Sequence, residues 1–149
     1  MPEPYATRIA FEKAALIQKQ NVGKIILAAD TVVSVGRRIL PQANEEQEAI
    51  DCLKLLSGRR HRVTTAIAAF DEAGKTYQKQ VQTVVKFKRM TDAEIAEYIE
   101  CGEWQGKAGG YAIQGFAGSF VQFLSGSYSN VVGLPLYETR NLMHSLGII

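Results

Sequence analysis

The stretch 106–135, GKAGGYAIQGFAGSFVQFLSGSYSNVVGLP, constrains the fold most, because it carries seven of the chain's glycines. Glycine weakens the interior of a helix or strand. So dense a run predicts backbone that turns tightly or approaches something closely. Lys107, Tyr111, Gln114, Ser127, Tyr128 and Asn130 stand between the glycines and can read a ligand. A set of glycine-rich hairpins with a half-buried face is the other reading that composition leaves open.

The rest of the chain supplies the framework. At 149 residues it is one domain's worth, 1–149, and long enough to bury a core. A net charge of +2 is too small to favour nucleic acid or an anionic membrane as partner. Cys52 and Cys101 make no disulfide framework, no run reaches membrane-spanning length, and MPEPYATRIAFEKAA is no signal peptide. The expectation is a cytoplasmic protein.

Residues 5–20 predict a helix with Ala6, Ile9, Leu16 and Ile17 on one stripe. Lys13 falls within that stripe, where its amine must snorkel to the edge or meet an anion. KIILAA (24–29) has the continuous apolar character of a strand covered on both faces, and Asp30 separates it from TVVSV. Asp30 is either an Asx-type turn or a carboxylate at the carboxyl end of a strand, where open sheets gather ligands.

GRRIL (36–40) predicts a turn into a short strand ended by Pro41. Asn44 and Gln47 have capping-box spacing ahead of a helix burying Ala49, Cys52, Leu53 and Leu56, with Gly58 as its stop. Arg59, Arg60, His61 and Arg62 then predict a solvated turn with one arginine facing substrate. Strands follow over 62–70 and 76–88, with Val81, Thr83, Val85 and Phe87 on one face. Thr91 and Glu94 form a second capping box, opening a helix that buries Ile95, Tyr98 and Ile99 and closes at Gly102. A last helix runs from Pro135 to about Leu146. Alternating helices and strands give an α/β domain.

Several chemistries lack their motif. Gly106-Lys107 is followed by alanine and is no P-loop, Gly115-x-x-Gly118 is no dinucleotide fingerprint, and no serine-hydrolase elbow is present. His61 and His144 have no zinc-ligand spacing to cysteine.

Four blocks, AADTVV (28–33), LLSGRRHRVTT (55–65), GKAGGYAIQG and GSYSNVVGLPL, occur in an order and spacing that resembles the Maf family of nucleotide pyrophosphatases. The resemblance runs from about Tyr5 to the C-terminus. It implies a Maf/ITPase-like mixed twisted sheet flanked by helices around a central nucleotide-binding cleft. It implies hydrolysis of a nucleoside triphosphate between its α and β phosphates, with a divalent metal, Mg or Mn. On that resemblance Asp30 is the general base, Lys13 and Lys107 face phosphate, Thr31 is linked to base selectivity, and Gln114 pairs with the base. Glutamine in the IQG block resembles the branch preferring dTTP and UTP, or modified pyrimidine nucleotides. The metal ligands stay unassigned.

The chain also departs from the family pattern. It begins after the expected first strand and its Ser-x-Ser-x-Arg-Arg loop, so an N-terminally truncated domain is expected. The missing strand would leave a sheet edge open to another chain, a homodimer being one outcome. Gln42 stands where the family usually has lysine. The two expectations are a dTTP/UTP-type pyrophosphatase weakened by these losses, and a catalytically degenerate module that holds a nucleotide or a partner protein. A fragment that folds poorly alone is a third.

Overall fold

The first helix, α1 (Pro2–Gln20), buries Ala6, Ala10 and Ala14, each one turn after the last. Side chains this small let it lie close on a sheet that is itself rich in alanine there. In this computed structural model, which describes Met1–Ile149, the chain continues through β1 (Ile26–Val35), β2 (Arg38–Leu40), β3 (Gln42–Ala43), α2 (Glu46–Leu56) and β4 (Arg60–Phe70). It ends through β5 (Thr76–Phe87), α3 (Asp92–Cys101), β6 (Lys107–Ala108), a 3-10 turn over Phe116–Phe120, β7 (Val121–Ser125), α4 (Tyr128–Val132) and α5 (Leu136–Ser145).

Five strands form one sheet in the order β2-β1-β4-β5-β7, and β3 pairs with β6 in a small second sheet. Every pairing is antiparallel, where a mixed sheet was expected. The α/β architecture of a sheet flanked by helices is as expected. Ala6, Ala10, Ala14, Ile26, Val32, Ala66, Ala68 and Phe70 make the smaller core, between α1 and the sheet. The larger core covers the opposite face, where Val33, Val63, Val85 and Phe87 meet α2, α3 and the glycine-rich segment. Adjacent residues Val32 and Val33 enter different cores, as the two-residue repeat of a strand requires.

Several expectations hold to the residue. The buried face of α2 is Ala49, Cys52, Leu53 and Leu56, and that of α3 is Ile95, Tyr98 and Ile99. Thr91 Oγ1 accepts from the Glu94 N–H at 3.1 Å while the Thr91 N–H donates to Glu94 Oε2 at 3.0 Å, closing the capping box. Gly102 ends α3 at φ +73°.

Four expectations are corrected. Leu16 and Ile17 of the predicted α1 stripe are 60% and 46% exposed, because close packing on the sheet selects alanine over bulkier side chains. KIILAA is not covered on both faces: Leu27 is exposed and β1 runs unbroken through Asp30. No capping box forms at Asn44 and Gln47; Glu45 is the N-cap without a side-chain bond, and Gln47 instead donates to Asp51 one turn on. The basic cluster is no solvated turn, since Arg60, His61 and Arg62 open β4 and pairing with β5 buries His61.

Candidate functional site

Asp30 lies mid-strand, paired across to Ala66, and neither ends a strand nor makes an Asx turn. What opens it to solvent is the edge of the sheet. β2 pairs only with Val33, Ser34 and Val35, so the preceding part of β1 has no strand on that side. Alternation sends Asp30 toward α1 and Thr31 toward the other face. Both reach one cavity of about 210 Å³ that wraps this edge.

Lys13, Asp30, Thr31, Lys107 and Gln114, named from the sequence, all line that cavity. Lys13 Nζ donates to Asp30 Oδ1 at 2.5 Å, so the lysine meets an anion from within the chain. The Asp30 side chain is 14% exposed and that of Lys13 53% exposed. The ammonium therefore faces both the carboxylate and the cavity.

The opposite wall is the glycine-rich segment. Gln42 pairs with Ala108 and Ala43 with Lys107, which brings Gln42 and Lys107 to the cavity together. Gly109 then turns at φ +68°, and a Cβ there would stand 2.9 Å from Val33 Cγ1, so only glycine lets this loop seat against β1. The Tyr98 hydroxyl donates to the Gly110 carbonyl at 2.8 Å and holds the turn on α3. Tyr111, which follows, forms part of the cavity floor with its ring edge-on to Phe87. Gln114 is exposed at the cavity wall, with its amide donors and acceptor available.

Two groups singled out in the glycine-rich segment take structural roles. Asn130 is fully buried; its Nδ2 donates to the Val63 carbonyl at 3.1 Å and to Thr83 Oγ1 at 2.9 Å. Ser127 Oγ accepts the Asn130 N–H and caps α4. Together they strap α4 onto β4 and β5, so that Val131, Val132 and Gly133 close the cavity. Tyr128 stays outside it, exposed.

His61 was missed as part of this assembly. Its Nε2 lies 2.6 Å from the Tyr111 hydroxyl, and its ring is 1% exposed. Burial lowers its pKa to about 4, so the imidazole is neutral near pH 7. The signal was alternation: His61, Val63 and Thr65 share the face of β4 that backs the cavity.

A divalent cation has limited means of attachment. No three His, Cys, Asp or Glu side chains converge, and Asp30 is the one carboxylate lining this cavity. A neighbouring cavity adds Glu48 beyond Asp30. This donor set fits a hard cation in the form Mg²⁺ takes with one or two carboxylates plus substrate phosphate oxygens, not a cage of protein ligands.

The family model for Maf-like proteins matches residues 1–146. Relatives named dTTP/UTP pyrophosphatase include one from Caulobacter vibrioides, 53% identical over 98% of this chain and 76% of its own length. The one from Zymomonas mobilis is 53% identical over 99% of this chain and 73% of its own. That from Maricaulis maris is 57% identical over 99% of this chain and 70% of its own.

Proposed function

Because this chain belongs to the Maf-like protein family, we propose that it is a nucleoside triphosphate pyrophosphatase acting on dTTP, UTP or related pyrimidine nucleotides. The observation that carries this reading is the convergence of Asp30, Lys13, Thr31, Lys107 and Gln114 on one cavity at the sheet edge. Residues 1–149 would act as one domain around that edge, in the cytoplasm; no helix is long and apolar enough to cross a membrane.

The geometry supports this chemistry. Lys13 holds Oδ1 of Asp30, leaving Oδ2 to accept a proton from a water aimed at the α-phosphorus. The new bond joins that water's oxygen to phosphorus. The bond to the bridging oxygen breaks, and pyrophosphate leaves with the electron pair. Lys13 and Lys107, on two walls, neutralise charge on the phosphates, and fixed positions spare the reaction the cost of orientation. Gln114 pairs with the base edge, its amide offering donors and an acceptor. A divalent cation held by Asp30 and the phosphate oxygens would supply further charge neutralisation and a more acidic bound water.

Asp30→Asn keeps the shape and removes the base. Pyrophosphate release from UTP and dTTP is expected to fall by roughly 10²–10⁴-fold, the usual contribution of a positioned base, with nucleotide binding by calorimetry retained. Undiminished release in the variant would overturn the assignment of Asp30. Gln42 favours a second reading, a module that binds nucleotide without turnover, because it puts an uncharged side chain on the phosphate wall. Wild-type protein that binds UTP and releases no pyrophosphate would select that reading.

A further inference from the structure

Thr31 and Thr65 stand directly opposite each other on β1 and β4, and their hydroxyl oxygens are 2.8 Å apart. Thr65 is fully buried, and its hydroxyl also donates to the Asn130 carbonyl at 3.2 Å. A hydroxyl has one proton. With that proton on the Asn130 carbonyl, Thr65 can only accept from Thr31. The opposite polarity would set two acceptor oxygens against each other in a buried site and lose one hydrogen bond. The chain therefore runs one way, from Thr31 to Thr65 to the Asn130 carbonyl. Asn130 cannot shift to relieve it, because its amide is bound to Val63 and Thr83.

Resting on the pyrophosphatase reading, we propose that Thr65, anchored by Asn130, is a positioning residue that sets substrate preference. It commits the Thr31 proton inward, so Thr31 offers the cavity only lone pairs. The ligand group at Thr31 must then be a hydrogen-bond donor. Uracil and thymine supply one at ring position 3, the N3–H. Cytosine has a lone pair at N3 and its donor on the exocyclic N4, out of register, so at a Thr31 aligned with position 3 it would set acceptor against acceptor. A buried polar site rejects a mismatched partner far more strongly than an apolar one does. Selection between pyrimidines is thus written partly in a residue that touches no ligand.

The test is pyrophosphate release by the full chain with UTP and with CTP, for wild type, Thr65→Val and Thr65→Ser. Valine keeps the volume and removes the acceptor, and the Asn130 carbonyl still accepts the Gly133 N–H at 3.0 Å. The Thr31 hydroxyl is then free to turn its proton toward the ligand. The ratio of kcat/KM for UTP over CTP is expected to fall about tenfold in Thr65→Val and to return in Thr65→Ser. A ratio unchanged in the valine variant, or not restored by serine, overturns the proposal. The ratio is insensitive to loss of folded protein. If Thr65→Val does not fold, Thr65→Ala, which also removes the acceptor, takes its place with the same expected fall, and a retained ratio overturns the idea. Wild-type turnover is measured first. Its absence counts against the hydrolase reading alone, and the ratio is then taken from the Kd values of the two nucleotides by calorimetry.

Discussion

Gln42 faces the cavity beside Lys107 on a wall where a triphosphate would need positive charge. Of the cavity's two ammonium groups, Lys13 on the facing wall is already paired with Asp30 at 2.5 Å. A free cation on the second wall is therefore Lys107 alone. An amide dipole at Gln42 interacts with phosphate far more weakly than a charge does. Gln42→Lys is expected to raise kcat/KM for UTP by roughly tenfold or more, mainly through a lower KM. Steady-state kinetics on the variant would settle it, and an unchanged kcat/KM would remove Gln42 from the phosphate path. The sequence made this position conspicuous only through its departure from the family pattern; its charge alone says nothing about what it faces.

At the scale of elements, α3 is the clearest case of structure written locally. Thr91, Glu94 and Gly102 satisfy both ends of the helix by themselves, and Lys88 additionally holds Glu94 Oε1. That side-chain bond, with the Thr91 N–H, keeps the Glu94 carboxyl below the usual range. Thr91→Ala removes one cap acceptor and should cost about 1 kcal/mol. Urea unfolding should show a lower midpoint at an unchanged slope, and Thr91→Ser should restore it. The strand around Asp30 was not legible in the same way. An acid inside an apolar run mimics a break, and what permits it is a lysine from α1, far away in the chain. The α1 face was misread for a related reason. Hydrophobicity ranks leucine and isoleucine above alanine, whereas the helix–sheet distance admits only the smallest side chain. The box at Asn44 and Gln47 had the right spacing, but the helix starts one residue later, at Glu46.

At the scale of the whole molecule, the cavity draws on α1, the edge of β1, the β3–β6 pair and α4, segments separated by most of the chain. Periodicity finds each of those pieces but does not bring them together; the family pattern did that. His61 shows what convergence imposes. Pairing of β4 with β5 and the Phe87 and Tyr111 rings enclose its imidazole, and burial drops its pKa from the ordinary 6.5 to about 4. The unfolded chain therefore takes up a proton at His61 at a higher pH than the native one does. Between these two values the unfolded state binds more protons, so stability rises with pH and is lost as pH falls from about 6.5 toward about 4. The loss amounts to roughly 3 kcal/mol at its full extent, as order of magnitude. His61→Phe keeps the aromatic packing, loses the Tyr111 contact and removes the titrating group, so its stability deficit against wild type is largest above about pH 6.5 and shrinks as pH falls toward about 4. Chemical denaturation across this range should then show a shallower pH slope for the variant than for wild type. Parallel slopes would mean that the imidazole gains its proton inside the folded protein as easily as outside it.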